Sequence, residues 1–92
     1  MAFDTVTVGT GSPATLILAD NSNRLSVILV NTSTANNLYI GQDNTVTTAN
    51  GVLISPLGNL TEDSGGHKVY SGPIYGIAST ASVDVRYWER IQ

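Results

Sequence analysis

No cysteine occurs in this chain, so neither a disulfide framework nor a thiolate metal site can hold it together. Histidine occurs once, as His67. Positive charge is equally sparse: Arg24, Lys68, Arg86 and Arg90 stand against seven carboxylates, for a net charge of −3. Four scattered cations do not form a stripe that could track phosphates, so no nucleic-acid partner is expected. Charged residues make up only 12% of the chain, about half the share usual in globular domains. Threonine, serine and asparagine take their place, giving a neutral, hydroxyl-rich surface that repels neighbours weakly. The apolar run 27–30 is far too short to cross a bilayer, and no membrane partner is expected. The first residues lack a basic start and a continuous apolar core, so no signal peptide is expected. The sequons at Asn31 and Asn59 read as coincidences of an Asn/Thr-rich composition.

What is present is short-period alternation. Glycine, asparagine, serine and proline interrupt the 92 residues every eight to twelve positions, the spacing of an all-β sandwich or barrel. A single small antiparallel β domain of about seven or eight short strands is therefore expected, spanning 1–92. Strands are predicted over 5–8 (exposed or edge), 14–18, 25–30, 38–41, 45–49 and 52–54. The 25–30 strand is apolar on both faces in its second half and belongs in the middle of the structure. Asn50-Gly51 is a strong turn signal between the 45–49 and 52–54 strands. Residues 57–68 are the least regular part, with 62–66 as an exposed tip, and extended chain resumes at Val69-Tyr70. A terminal pair of strands follows around the connection 79–82, which lacks the glycine or asparagine of a two-residue turn. In the last strand Val83, Val85 and Tyr87 form the core face, and Asp84, Arg86 and Trp88 the opposite one.

Chemistry is hard to find. His67, flanked by two glycines and a lysine, reads as an exposed loop residue. The carboxylates Asp4, Asp20, Asp43, Glu62, Asp63, Asp84 and Glu89 form no recognisable catalytic pair, and most sit where Asp caps backbone amides. Gly9-Thr10-Gly11-Ser12 lacks the lysine and following helix of a phosphate loop. The oxygens of Gln42-Asp43-Asn44-Thr45 fail the spacing of a calcium-binding helix-loop-helix, although a calcium site shared between loops stays open. No enzyme, cofactor or metal is expected. The aromatics are the remaining resource. Trp88 sits among charged residues rather than valines, the placement of an interface anchor or of a lid on its own sheet. Asp84 and Arg86, two apart on one face, could pair with each other.

A domain this small buries barely enough apolar surface to offset the ordering of its chain, which favours association with copies of itself or with a larger body. A family resemblance points the same way. Val30-Asn31, Leu38-Tyr39-Ile40-Gly41, the 46–54 stretch, Gly72-Pro73-Ile74-Tyr75-Gly76-Ile77-Ala78 and Val83-Asp84-Val85-Arg86-Tyr87-Trp88-Glu89 together resemble small virion structural proteins of tailed bacteriophages. The match covers about two thirds of the chain, from Arg24 to Glu89, with Thr80-Ala81 and Gly76 as departures. The resemblance implies a non-enzymatic virion component, and most often a head-associated one. The expectation is a capsid decoration (cement) protein, located in the virion, with the major capsid protein and other copies of itself as partners. A trimer is the guessed oligomer. The expected contact residues are Phe3, Asp43, Asn44, His67, Lys68, Asp84, Arg86 and Trp88. The alternatives are a head-fibre, neck or tail component and, from another class, a carbohydrate-binding module using exposed tyrosines, from among Tyr39, Tyr70, Tyr75 and Tyr87, together with Trp88.

Overall fold

The computed structural model describes residues 2–63 and 68–92. Among them eight strands form two four-stranded sheets: β1 (Ala2–Val8), β2 (Thr15–Leu18), β3 (Arg24–Asn31), β4 (Leu38–Gly41), β5 (Val52–Ile54), β6 (Asn59–Asp63), β7 (Ile74–Ala78) and β8 (Val83–Ile91). The first sheet has the order β1-β8-β3-β6 and the second β2-β7-β4-β5. Every pairing is antiparallel. Except for the β4–β5 hairpin, successive strands alternate between the sheets. That strand order is the eight-stranded jelly roll, a sandwich built from interlocked Greek keys.

β8 shows why the sheets pack. Its inward residues Val83 and Val85 are buried while Asp84, Arg86 and Trp88 are exposed, as alternation requires. Val27 and Leu29 of β3 join them, and Ile17, Leu18, Leu38, Ile40, Ile54 and Ile74 meet them from the second sheet. Gly76 of β7 lies beneath this layer. A Cβ there would come within 2.8 Å of Ile17 and 3.1 Å of Leu38, so the small residue sets how closely the sheets approach.

Four strand-level expectations need correction. β7 and β8 are not neighbours, because the 79–82 connection carries the chain from one sheet to the other. β7 is apolar on both faces, and its outward Ile77 is covered by the 42–51 loop, whereas β8 exposes Asp84, Arg86 and Trp88. Residues 45–49 form no strand. Asp43 accepts from the Thr45 amide and hydroxyl, and the Asn50 side chain accepts from the Thr47 amide at 2.7 Å. Such local side-chain bonds compete with a ladder. The Asn50-Gly51 signal therefore closes a ten-residue loop between β4 and β5. In the supposedly irregular 57–68 region, β6 pairs with β3 over five positions. It enters through a turn in which Leu57 adopts φ 62° and the Gly58 amide donates to Ser55. β6 has a single large apolar residue, Leu60, which hid it from an alternation test. Val69 is buried but belongs to no strand, as does Tyr70.

Two polar groups pin the interior. Arg24 and Glu89, both buried, form an ion pair with Nε donating to Oε2 at 2.7 Å. Three of the four remaining guanidinium hydrogens go to the carbonyls of Tyr70, Gly72 and Ala19, each at 3.0 Å. Arg24 reaches the interior because the β3–β8 register slips between Arg24 and Ser26. The extra residue of the bulge moves Arg24 onto the side that strict alternation reserves for Leu25. Asn31, at 0% exposure, donates Nδ2 to the carbonyls of Asn36 and Ile54 and accepts from the Ser33 amide. Its amide is thus a tie between the end of β3 and the end of β5. A glycan on Asn31 is incompatible with that burial.

Candidate functional site: an open apolar strip on one sheet

The registers place side chains in rows across the outer face of the β1-β8-β3-β6 sheet. One row runs Phe3, Trp88, Ile28, Thr61. The next runs Thr5, Arg86, Val30, Asn59. Directly opposed residues in adjacent strands lie about 5 Å apart, so each row is a continuous contact surface. Phe3 is 79% exposed and Trp88 54% exposed, although both are large apolar groups. With Ile28, Val30, Arg86 and Tyr87 they line an open groove of about 510 Å³. Arg86 is the one charged side chain in that lining, and its aliphatic stem can cover apolar surface while the guanidinium stays in water.

Beyond Arg86 the face turns polar. Asp84 accepts from the Thr7 hydroxyl at 3.0 Å, and no ion pair joins it to Arg86. On the other side of the Trp88 row lie Ser26, Asp63 and Arg90. An apolar centre with a polar rim is the usual anatomy of a protein contact, and tryptophan and arginine are its most frequent anchors.

The opposite outer face is built differently. Tyr39, Tyr75 and Ile77 share the outside of the β2-β7-β4-β5 sheet, but the chain covers them itself. The 42–51 loop folds back so that Val46, 4% exposed, packs with Ala14 and Ile77 against the two tyrosines. The fit is tight: a Cβ at Gly51 would lie 2.7 Å from Cβ of Tyr39, and one at Gly41 2.8 Å from Cβ of Val46.

The eight expected contact residues therefore divide. Phe3, Arg86 and Trp88 come together in the strip, and Asp84 borders it. Asp43 and Asn44 belong to the covering loop on the other side of the sandwich, where Asn44 accepts from the Ala14 amide at 3.2 Å. Lys68 is exposed, and His67 lies outside the described residues, as does most of the 62–66 tip. Hydrogen bonding from the Thr45 hydroxyl and amide holds the Asp43 carboxyl below its usual range. Burial pushes the Tyr70 phenol up, against the opposing charge of Arg24. Its hydroxyl donates to the Pro73 carbonyl at 2.6 Å. Ile28 and Val30 complete the strip without having been expected there. Their apolar character on the outer side of β3 was the available signal, and only the register with Trp88 turns it into a surface.

Tyr39 and Tyr75 lie on the face opposite Trp88 and cannot share one sugar-stacking platform with it, whereas Tyr87 lines the same groove as Trp88. Among the described residues no group of three or more His, Asp or Glu side chains could hold a metal ion. What the strip offers is apolar area, one flat indole and one guanidinium. The chain matches no protein-family model, no curated protein and no solved structure.

Proposed function

We propose that this chain is a structural component of a tailed-bacteriophage virion, acting as a decoration protein that docks on the outside of the head and stabilises the shell. One observation carries the docking part: the Phe3–Trp88–Ile28 strip is exposed on a sheet whose counterpart has the centre of its outer face covered by the protein's own loop, with Leu16 and Leu53 exposed only on its flanking strands. The partner surface would present an apolar ridge for Phe3, Trp88 and Ile28 and a carboxylate for Arg86. The major capsid protein and further copies of this chain are the partners in this reading. Support for the viral part is the sequence resemblance, together with an architecture that recurs in viral shells. Jelly rolls also serve as lectins, so architecture alone is analogy.

Reconstitution tests the reading. Heads lacking this protein are incubated with wild-type protein or with Trp88→Ala, and heat resistance of the particles is measured. Wild-type protein should bind and raise resistance, and Trp88→Ala should bind at least about 30-fold more weakly. Failure of the wild-type protein to bind heads, or binding that ignores Trp88, overturns the proposal. Binding to tails or necks instead would move the protein within the virion.

A further inference from the structure

We infer that two copies of this chain pair through the free edge of β1, antiparallel about a twofold axis at Thr5. An exposed edge strand presents unpaired amides and carbonyls to any other strand, and proteins usually blunt such edges. Three of the four edges here are blunted. β5 has three residues, β2 has four and a register break between Leu16 and Leu18, and β6 ends in Glu62 and Asp63. β1 differs from all of them. It is seven residues long, pairs with β8 without a register break, and contains neither proline nor a cation.

The backbone parity says what this edge offers. The Thr32 amide bonds to the Asp84 carbonyl, so even residues of β8 face β3 and odd ones face β1. Their partners in β1 are the even residues, which leaves the amides and carbonyls of Phe3, Thr5 and Thr7 pointing outward. Consistent with this, the Thr5 amide donates to its neighbour's side chain, Oδ1 of Asp4, at 2.8 Å.

A second copy fits those groups in one register. A twofold axis at Thr5, the centre of the strand, pairs Thr5 with Thr5 and Phe3 with Thr7, using every outward backbone group in six hydrogen bonds. It sets Asp4 against Val6. Shifting the axis to Asp4 would place two carboxylates directly opposite one another, which is destabilising. Moving it to Phe3 or Val6 loses part of the overlap. The axis runs through the sheet, so both Phe3–Trp88 strips face the same way on one eight-stranded sheet. This pairing does not rest on the virion reading. Its closed twofold yields a dimer, not the guessed trimer. Asp4 acts as a guard, since its hold on the Thr5 amide must be exchanged for the partner's carbonyl.

Sedimentation of the full chain over a concentration series tests this. Wild-type protein should move from 9.7 kDa to twice that mass. Thr5→Pro removes an outward amide and no β1–β8 bond, so it should stay monomeric with its thermal transition intact. Asp4→Ala should dimerise roughly fivefold more tightly, by removing the competing acceptor. Amide exchange at Phe3, Thr5 and Thr7 should slow as the dimer forms. A wild-type chain that stays monomeric up to its solubility limit overturns the inference. So does a dimer or trimer indifferent to Thr5→Pro.

Discussion

The two outer faces of this sandwich carry similar amounts of aromatic and aliphatic side chain, and the chain treats them oppositely. Over β2-β7-β4-β5 it spends the 42–51 loop to bury Val46 against Tyr39, Tyr75 and Ile77. Over β1-β8-β3-β6 nothing from the described residues covers Phe3 and Trp88, which stay exposed. The cap covers the centre of its face and leaves Leu16 and Leu53 exposed on the flanking strands, whereas the other face is bare at its centre, a contrast that separates stability from adhesion. Residues on the capped face should matter for folding, and those on the bare face for assembly.

Substitutions can break that contrast in graded steps. The interior shared by both faces sets the upper bound. Arg24→Ala would leave Glu89 as an unpaired buried charge and three carbonyls without their donor, costing about 3–5 kcal/mol in chemical denaturation. On the capped face, Val46→Ala opens a void beside Tyr39 and Tyr75 and should cost about 1–3 kcal/mol. Gly51→Ala, whose methyl meets Tyr39 and Val46, should cost a similar amount through overpacking. On the bare face, Trp88→Ala should change unfolding free energy by less than about 0.5 kcal/mol while weakening docking. If Trp88→Ala destabilised the isolated protein as much as Val46→Ala does, the distinction between the faces would collapse.

The smallest effect is a pH response confined to the cap. The Asp43 carboxyl is held below its ordinary value of 3.8 by Thr45. A lowered folded-state value means stability that is complete above the ordinary value and drains away as pH falls through the lowered one. Tyrosine near-UV dichroism from Tyr39 and Tyr75 should therefore report loosening of the loop only in acid. Asp43→Asn should abolish that acid-dependent part of the signal. Trp88 fluorescence, from the single tryptophan of the chain, should not follow it.

Much of this was legible in the residues. β8 could be read face by face because Val83, Val85 and Tyr87 alternate with Asp84, Arg86 and Trp88 without a break. β3, β4 and β5 were recognisable as short apolar runs set between polar turn segments. What escaped lies where alternation was interrupted or where partners were distant. A bulge hid the inward turn of Arg24, although Glu89, two residues beyond Tyr87 on the valine face, was the clue to a buried partner. β6 had too few apolar residues to register. The split of β7 and β8 between sheets could not be read locally, because pairing is decided by strands far away in sequence. For the same reason Trp88 could be named as an anchor, while its neighbours Phe3 and Ile28 emerged only from the sheet order.

That sheet order also bears on how the polypeptide comes off the ribosome. β8, residues 83–91, sits between β1 and β3, so the first sheet lacks its keystone until those residues have been made. Until then β1 and β3 wait as separate ribbons, and distant pairings of this kind form slowly. A nascent chain halted before residue 83 would carry two unzipped strands with nothing between them, a species prone to sticking to its neighbours. The first sheet must therefore wait for residues 83–91, and termination ahead of them should yield inclusion bodies rather than a slightly frayed product.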